Sequence, residues 1–250
     1  MAVTDPYREN RRLWDEWSDA FQALWNAETA TDAPPTPSPF GPDAPDPERV
    51  VPAVESAAVA ELGCGGGQGT VGAALAGADR AVGVDLSREQ LRHARRLREY
   101  CGVDATFVHG EATSLPLATD AFDVAFTEWA FQHVADLDAA LREARRVLRD
   151  GGTFLCSVPH PFGEVVDGES GEVDRRYHGD SRRTVEIDES YDADMVVFDR
   201  PVGDLHRALV DAGFAVDAVV EPDPLDHAPN VDGGPAAAVP RDLRLWATAT

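Results

Sequence analysis

Short apolar runs alternate with longer amphipathic runs along most of the chain, starting near residue 56. The short runs are rich in Val, Ala and Leu and have the length of buried strands. The longer runs repeat apolar residues every three or four positions, as helices with one buried face do. This alternation predicts a parallel sheet covered by helices on both faces. The predicted strands are 56–62, 80–85, 105–109, 122–127 and 153–158, and the predicted helices are 68–77, 87–101 and 136–148.

The alternation stops at Pro159. Residues 159–200 are polar and rich in Gly, Asp and Arg, and we expect them to form an insert that caps the substrate side of the sheet. Two short strand-like runs lie inside the insert, at 184–187 and 195–198. The predicted sheet of seven strands is completed by a helix at 202–212 and strands at 214–221 and 243–248.

Residues 1–30 are predicted to form a separate N-terminal helix, because aromatic residues recur there at helical spacing: Trp14, Trp17, Phe21 and Trp25. One interpretation is a helix packed on the core. The other is a lid over a ligand pocket, and the two are compatible. A Pro-rich linker at 31–47 then leads to the main domain, 48–250.

A strand that runs into a glycine-dense turn is the clearest functional signal. The segment Val59-Ala-Glu-Leu-Gly-Cys-Gly-Gly-Gly-Gln-Gly-Thr70 leads into a predicted helix, and the next strand ends in Asp85. Glycines let the backbone approach a ligand closely, and the first N–H groups of a helix are free to bind polar groups. A carboxylate at the end of the next parallel strand can accept hydrogen bonds from both hydroxyls of a ribose. The pattern predicts a pocket for a nucleoside cofactor.

The dinucleotide fingerprint G-x-G-x-x-G fits this turn poorly. Counted from Gly63, its third glycine falls at position 68, which is Gln68. A match at Gly67–Gly72 begins inside the predicted helix, where a glycine costs about 1 kcal/mol relative to alanine. An NAD(P)-dependent oxidoreductase that uses this second match stays open as an alternative.

The turn Glu61-Leu-Gly-Cys-Gly-Gly-Gly67 instead resembles motif I of the class I S-adenosylmethionine-dependent methyltransferases. Further segments resemble family blocks in the same order: Gly110-Glu-Ala-Thr-Ser-Leu-Pro-Leu117, Phe122-Asp-Val-Ala-Phe-Thr127 and Arg146-Val-Leu-Arg-Asp-Gly-Gly-Thr-Phe154. Glu111 and Asp150 stand where the family usually has Asp and Pro. The resemblance implies a Rossmann-like α/β fold, with the last strand antiparallel beside the fifth, and S-adenosylmethionine as the cofactor.

The resemblance also implies where the cofactor binds. Asp85 matches the acid that binds the ribose, and Glu111 matches the acid beside the adenine amino group. Two roles stay open for Glu61: contact with the methionine end of the cofactor, or hydrogen bonds to N–H groups of the glycine turn. The expected cofactor-binding set is Glu61, Gly63, Cys64, Gly65, Gly67, Asp85, Leu86, Gly110, Glu111, Ala112 and Thr127.

The segment Thr127-Glu-Trp-Ala-Phe-Gln-His133 leaves the fourth strand where the resemblance places the transferable methyl group. Trp129 is expected either to contact the acceptor, together with Trp14 and Trp17, or to pack in the core. His133 is a candidate general base because imidazole titrates near neutrality, and His160 is a second candidate. A structural role stays open for both, and a carbon or sulfur acceptor would make a base unnecessary.

Amino-acid composition limits the classes of partner that we expect the protein to bind. The formal net charge is −23, and the cations other than His are all Arg. An acidic surface disfavours nucleic acid and anionic membranes. An acid excess without Lys is also typical of proteins from a high-salt cytosol, where a Debye length of about 3 Å screens charge. Sparse cysteines fit the cytoplasm, the His and Cys spacings predict no metal site, and no apolar run is long enough to span a membrane.

A methyltransferase acting on a small molecule is the function that these signals favour. Methylation of tRNA or protein would need an open basic face, for which the Arg pairs at 175–176 and 182–183 are the hint. A cofactor-binding regulator without turnover is a further alternative, because the motifs report binding. The identity of the acceptor and the oligomeric state are not predicted.

Overall fold

The computed structural model describes residues 5–28, 54–167, 170–178, 182–187, 190–222 and 238–250 of the chain, with side chains up to residue 23 in the first range. The expected Pro-rich linker at 31–47 and the side chain of Trp25 therefore lie outside the described residues. Among the described helices, none has the length and apolarity needed to cross a lipid bilayer.

A mixed sheet of seven strands organises the described residues, in the spatial order β3-β2-β1-β4-β5-β9-β8. The first five strands run parallel, and β9 lies antiparallel between β5 and β8. The predicted α/β fold is confirmed. The strands of this sheet are β1 (Ala58–Leu62), β2 (Arg80–Asp85), β3 (Thr106–His109), β4 (Phe122–Glu128), β5 (Leu148–Pro159), β8 (Phe214–Val220) and β9 (Asp242–Ala249).

Local capping sets the ends of the helices. Ser87 accepts a hydrogen bond from the Gln90 N–H and starts one helix, which stops at Gly102 in the left-handed conformation. Asp136 caps another by accepting from the Ala139 N–H. The helices are α1 (Pro6–Glu28), α2 (Gln68–Leu75), α3 (Arg88–Cys101), α4 (Leu137–Val147) and α5 (Val202–Asp211), with 3-10 turns at Phe131–His133 and Gly163–Val165.

The core lies on both faces of the sheet, as expected for strands buried by helices. On one face α4 and α5 pack against the sheet through residues such as Leu141 and Leu209. Phe154 stacks on Phe214 there, with ring centroids 5.1 Å apart. On the other face α2 and α3 contribute Val71 and Leu91.

The strands other than β5 lie within two residues of their predicted bounds. β5 begins at Leu148 rather than 153, because residues 149–152 form a bulge between the Phe122–Leu148 and Val124–Thr153 pairs. In the insert, β6 (Arg182–Val185) and β7 (Met195–Phe198) form a separate antiparallel hairpin. β6 starts two residues before the predicted strand at 184–187, because Arg182 pairs with Phe198 at the far end of β7.

Leu141→Ala should destabilise the protein by about 2–5 kcal/mol, because it removes a buried side chain and leaves a cavity between α4 and the sheet. Chemical denaturation at constant salt measures the change. Leu75→Ala, at the partly exposed end of α2, is the matched control and should cost about 1 kcal/mol or less. Equal losses in the two variants would contradict the packing of α4 described above.

Candidate functional site

The glycine turn after β1 folds back over the end of β2. The N–H groups of Gly63 and Cys64 both donate to the Val84 carbonyl, at 2.8 and 3.0 Å. Gly67 has φ +83° and starts α2. A Cβ at Gly63 would lie 2.3 Å from Cβ of Ala130, so the turn packs directly against the segment that leaves β4. Only glycine permits this approach at position 63, which also has a positive φ.

Asp85 connects the end of β2 to the glycine turn. One carboxylate oxygen accepts from the Gly65 N–H and the other from the Ser87 N–H, both at 2.8 Å. The side chain is 8% exposed, and this burial raises the pKa of Asp85 to about 6 against the opposing effect of the two N–H bonds. The carboxylate is ionised at neutral pH and has lone pairs left for further donors.

A cavity of about 270 Å³ opens beside Asp85, and we call it the Asp85 cavity. Asp5 and three residues at the start of α1, Pro6, Tyr7 and Asn10, lie on one side of it, and the ends of β1 and β2, with the turns after β1, β2, β3 and β4, form the rest. Six residues of the expected cofactor-binding set line this cavity together: Gly63, Asp85, Leu86, Gly110, Glu111 and Ala112. The Glu111 carboxylate also accepts a hydrogen bond from the Thr113 hydroxyl at 2.9 Å.

Other members of the expected set do not line the cavity. Gly65 acts through its N–H on Asp85. The Glu61 carboxylate is buried under α2 and accepts from the Thr70 hydroxyl, and burial raises the pKa of Glu61 well above its ordinary value. The Cys64 thiol packs against Gly83 of β2. The Thr127 hydroxyl is buried and has no hydrogen-bond partner within the described ranges.

A second cavity, of about 340 Å³, lies beyond the first and is walled by aromatic rings. We call it the tryptophan cavity, because Trp14 and Trp17 of α1 and Trp129 after β4 all line it. The hairpin β6–β7 closes its other side with Val185 and Met195. Phe131 and His133 line both cavities, so the two are neighbours across a single turn.

Trp129 holds an unusual backbone conformation. Its φ is +50°, in the left-handed region that costs a bulky residue about 1–3 kcal/mol. The indole is 52% exposed and donates to Asp242 at 3.3 Å, and the backbone N–H donates to Ser157. The core role that was the alternative for Trp129 does not match this exposure.

The structure separates the two candidate bases. Nδ1 of His133 lies 3.3 Å from the Val196 carbonyl, and Nε2 lies 3.2 Å from the Gln132 carboxamide nitrogen. A carbonyl only accepts and an amide nitrogen only donates, so the imidazole is neutral with its proton on Nδ1. Burial lowers the pKa of His133 to about 4, in agreement with this state.

His160 lies apart from both cavities. Its Nδ1 accepts from the Phe162 N–H at 3.1 Å, and its Nε2 lies 2.7 Å from the Glu221 carboxylate. Both ring nitrogens are therefore engaged within the fold, and the ring is 3% exposed. Within the described residues, no group of His, Cys, Asp and Glu side chains has the arrangement of a metal site.

Polar side chains of α1, which sequence reasoning missed, join this helix to the rest of the described fold. The Asn10 side chain makes three hydrogen bonds: it donates to the carbonyls of His133 and Val196 and accepts from the Val196 N–H, at 2.7–3.0 Å. Gln22 contacts Gln90 and Gln68 beside the glycine turn. Asn10 lies one helical turn before Trp14, so its place on the aromatic face was the available signal.

Asn10→Ala should free α1 from the hairpin, because it removes the side-chain partner of the buried Val196 N–H and one of the two side chains that donate to the Val196 carbonyl. Amide hydrogen exchange in α1 and β7 should then speed up by about 10- to 100-fold, while exchange in β1 and β4 stays unchanged. Arg8→Ala, with a side chain 86% exposed, is the control and should change neither region. Unchanged exchange in the Asn10 variant would show that these bonds do not hold the lid.

Comparison with known proteins identifies the domain. Residues 60–156 match the family model described as "Methyltransferase domain". A 37.1 kDa protein of transposon TN4556 from Streptomyces fradiae is 38% identical over 164 residues, which are 64% of this chain and 44% of that protein. The mitochondrial 2-methoxy-6-polyprenyl-1,4-benzoquinol methylase of Mus musculus is 38% identical over 93 residues, 36% of this chain and 28% of that one. The chain spans less than half the length of these curated relatives.

A solved structure extends the similarity to the whole fold. The S-adenosylmethionine-dependent methyltransferase from Mesorhizobium loti is 28% identical with a TM-score of 0.63, over 79% of this chain and 93% of that one. Together with the matched domain, this shows the architecture to which the glycine turn and the seven-stranded sheet belong. Residues 60–156 therefore match a methyltransferase domain, and the chain has the fold of the class I S-adenosylmethionine-dependent methyltransferases.

Proposed function

We propose that the protein transfers the methyl group of S-adenosylmethionine to a small-molecule acceptor by in-line displacement. The observation that carries the proposal is the pair of neighbouring cavities that share Phe131 and His133. One cavity has the carboxylate and glycine backbone suited to a nucleoside, and the other is enclosed by aromatic rings. A methyl group held at the shared wall would face an acceptor directly.

The residues of the Asp85 cavity fit the cofactor. The Asp85 carboxylate accepts one N–H at each oxygen and keeps lone pairs for the two ribose hydroxyls. Gly63 also lines this cavity, in a turn that its missing side chain lets pack against Ala130. We assign the adenine to the end formed by Gly110, Glu111 and Ala112. Glu61, Cys64 and Thr127 then support the turn and β4 from behind rather than contacting the cofactor.

Methyl transfer from S-adenosylmethionine requires the protein mainly to position the reactants. S-adenosylmethionine supplies a methyl group on a cationic sulfur, which leaves as a neutral thioether, so no acid has to protonate it. Holding the acceptor in line and away from water accounts for most of the acceleration. His133 is at the shared wall, but it is neutral, of low basicity and hydrogen-bonded at both ring nitrogens, so we assign it to shaping that wall rather than to removing a proton. We assign His160 a structural role.

Enclosure favours a small acceptor over tRNA or protein. α1 and the hairpin line two sides of the tryptophan cavity, and Arg183 of one expected basic pair is engaged by Asp199 and Glu164. The mouse relative is by name a benzoquinol methylase, which is also a small-molecule enzyme. We further propose that the chain works in a salt-rich cytoplasm, where its net charge of −23 is screened.

In the test, S-adenosylhomocysteine, S-adenosylmethionine and NAD(H) are titrated one at a time into the protein in molar KCl. The readout is the melting temperature of the protein at each ligand concentration. The two adenosyl compounds should stabilise the protein, by about 2.7 kcal/mol at a hundredfold excess over Kd, and NAD(H) should not. Asp85→Ala should weaken adenosyl binding by about 10- to 100-fold, through loss of charge-assisted hydrogen bonds. Stabilisation by NAD(H) alone, or unchanged affinity in the variant, would overturn the proposal.

Binding of S-adenosylhomocysteine should weaken as the pH falls through about 6, the pKa of Asp85. Below that pH the carboxyl is protonated and becomes a poorer acceptor for the ribose hydroxyls, so the affinity should fall by up to about tenfold per pH unit. Calorimetric titration between pH 8 and pH 5 measures the dependence. Asp85→Asn keeps an acceptor oxygen but does not titrate, and should flatten the profile; the same slope in both proteins would assign the dependence to another group.

A further inference from the structure

The charges that line the tryptophan cavity are all engaged within the protein. Arg183 donates to both oxygens of Asp199, at 2.8 and 3.0 Å, and also to Glu164. Arg200 donates to backbone carbonyls, among them those of Phe131 and Val134, which ties the turn after β4 to the end of the hairpin. The charged lining residues thus carry two positive and two negative charges in total. Every carboxylate and guanidinium among the described lining residues already has a hydrogen-bond partner within the protein.

Most of the other lining residues are apolar or aromatic. Trp14 and Trp17 lie with ring centroids 5.3 Å apart, and Trp129 and Met195 also line the space. Aromatic faces and a thioether favour contact with a planar ring. A volume of about 340 Å³ is at the small end of ligand pockets, which suits a molecule of one or two rings. A charged ligand would lose its hydration here without gaining a partner.

One polar atom of the lining residues remains unsatisfied. The Gln132 carboxamide nitrogen donates to the Trp129 carbonyl at 2.6 Å and lies 3.2 Å from Nε2 of His133, which fixes the orientation of the amide. Its oxygen is buried and accepts no hydrogen bond from the described residues. An unsatisfied buried acceptor is costly, and a ligand donor that reached this oxygen would satisfy it.

We propose that the tryptophan cavity binds an uncharged, planar aromatic acceptor whose hydroxyl or N–H donates a hydrogen bond to Oε1 of Gln132. This rests on the proposed methyl transfer and narrows its substrate class. Gln132 selects acceptors that carry a donor, the rings of Trp14, Trp17 and Trp129 select flat molecules, and the compensated charges exclude ions. The role of Gln132 is recognition of the acceptor, and it takes no proton.

The test is calorimetric titration of the S-adenosylhomocysteine-loaded protein with four probes of one shape. 2-Naphthol should bind best, and 2-methoxynaphthalene, which lacks the donor, should bind about 3- to 10-fold more weakly. The cation 2-naphthylmethylamine and the anion 2-naphthoate should bind at least about tenfold more weakly than 2-naphthol. Gln132→Leu should abolish the difference between 2-naphthol and its methyl ether, and Trp129→Ala should weaken all four probes.

Phe162→Ala is the control, because this exposed aromatic residue does not line the cavity and its loss should leave the four affinities unchanged. Each variant is first checked for binding of S-adenosylhomocysteine, and Gln132→Ala replaces Gln132→Leu should that variant not fold. The inference is overturned if the protein still binds S-adenosylhomocysteine but a charged probe binds as tightly as 2-naphthol. It is equally overturned if 2-methoxynaphthalene does so. Failure of the unaltered protein to bind S-adenosylhomocysteine would instead refute the proposed function itself.

Discussion

The site depends on one close contact between two turns, at Gly63 and Ala130. Any side chain at position 63 would overlap the Ala130 methyl group, and the positive φ of Gly63 disfavours one as well. Because the turn after β1 lies against the turn after β4, Phe131 and His133 can face both cavities. The strand order places β1 beside β4, where the sheet reverses its direction of growth and open α/β sheets bind ligands.

We propose that α1 is a lid over the two cavities, and it is held by hydrogen bonds as well as by apolar packing. Asn10 joins α1 to β7 and to the turn at His133, and Gln22 joins it to α3 and the start of α2. Each such bond contributes only about 1 kcal/mol net, because water replaces it when the lid opens. An apolar seam of the same length would be harder to separate. A polar seam therefore suits an element that has to close over two ligands and release both.

The fold followed from the sequence more completely than the site did. Strand and helix periods are local, so most elements were predicted within a few residues, and the end of β2 placed Asp85 correctly beside the turn. The early start of β5 was missed because residues 149–152 look like a turn, whereas they form a bulge. The directions of Glu61 and Cys64 depend on packing against Thr70 and Gly83. Asn10 was missed because its partners lie 123 and 186 positions away.

The division of charge between the cavities follows from the proposed displacement. A cationic sulfur becomes neutral as the bond to its methyl group breaks, and positive charge moves toward the acceptor. Carboxylates on the acceptor side would hold the sulfonium as firmly before the reaction as during it, and only interactions that strengthen in the transition state increase the rate. The faces of Trp14, Trp17 and Trp129 carry a weaker negative potential that acts over a short range. Aromatic walls with compensated charges thus stabilise the transition state, in which positive charge moves toward the acceptor. Asp85 stays on the nucleoside side and takes no part in this effect.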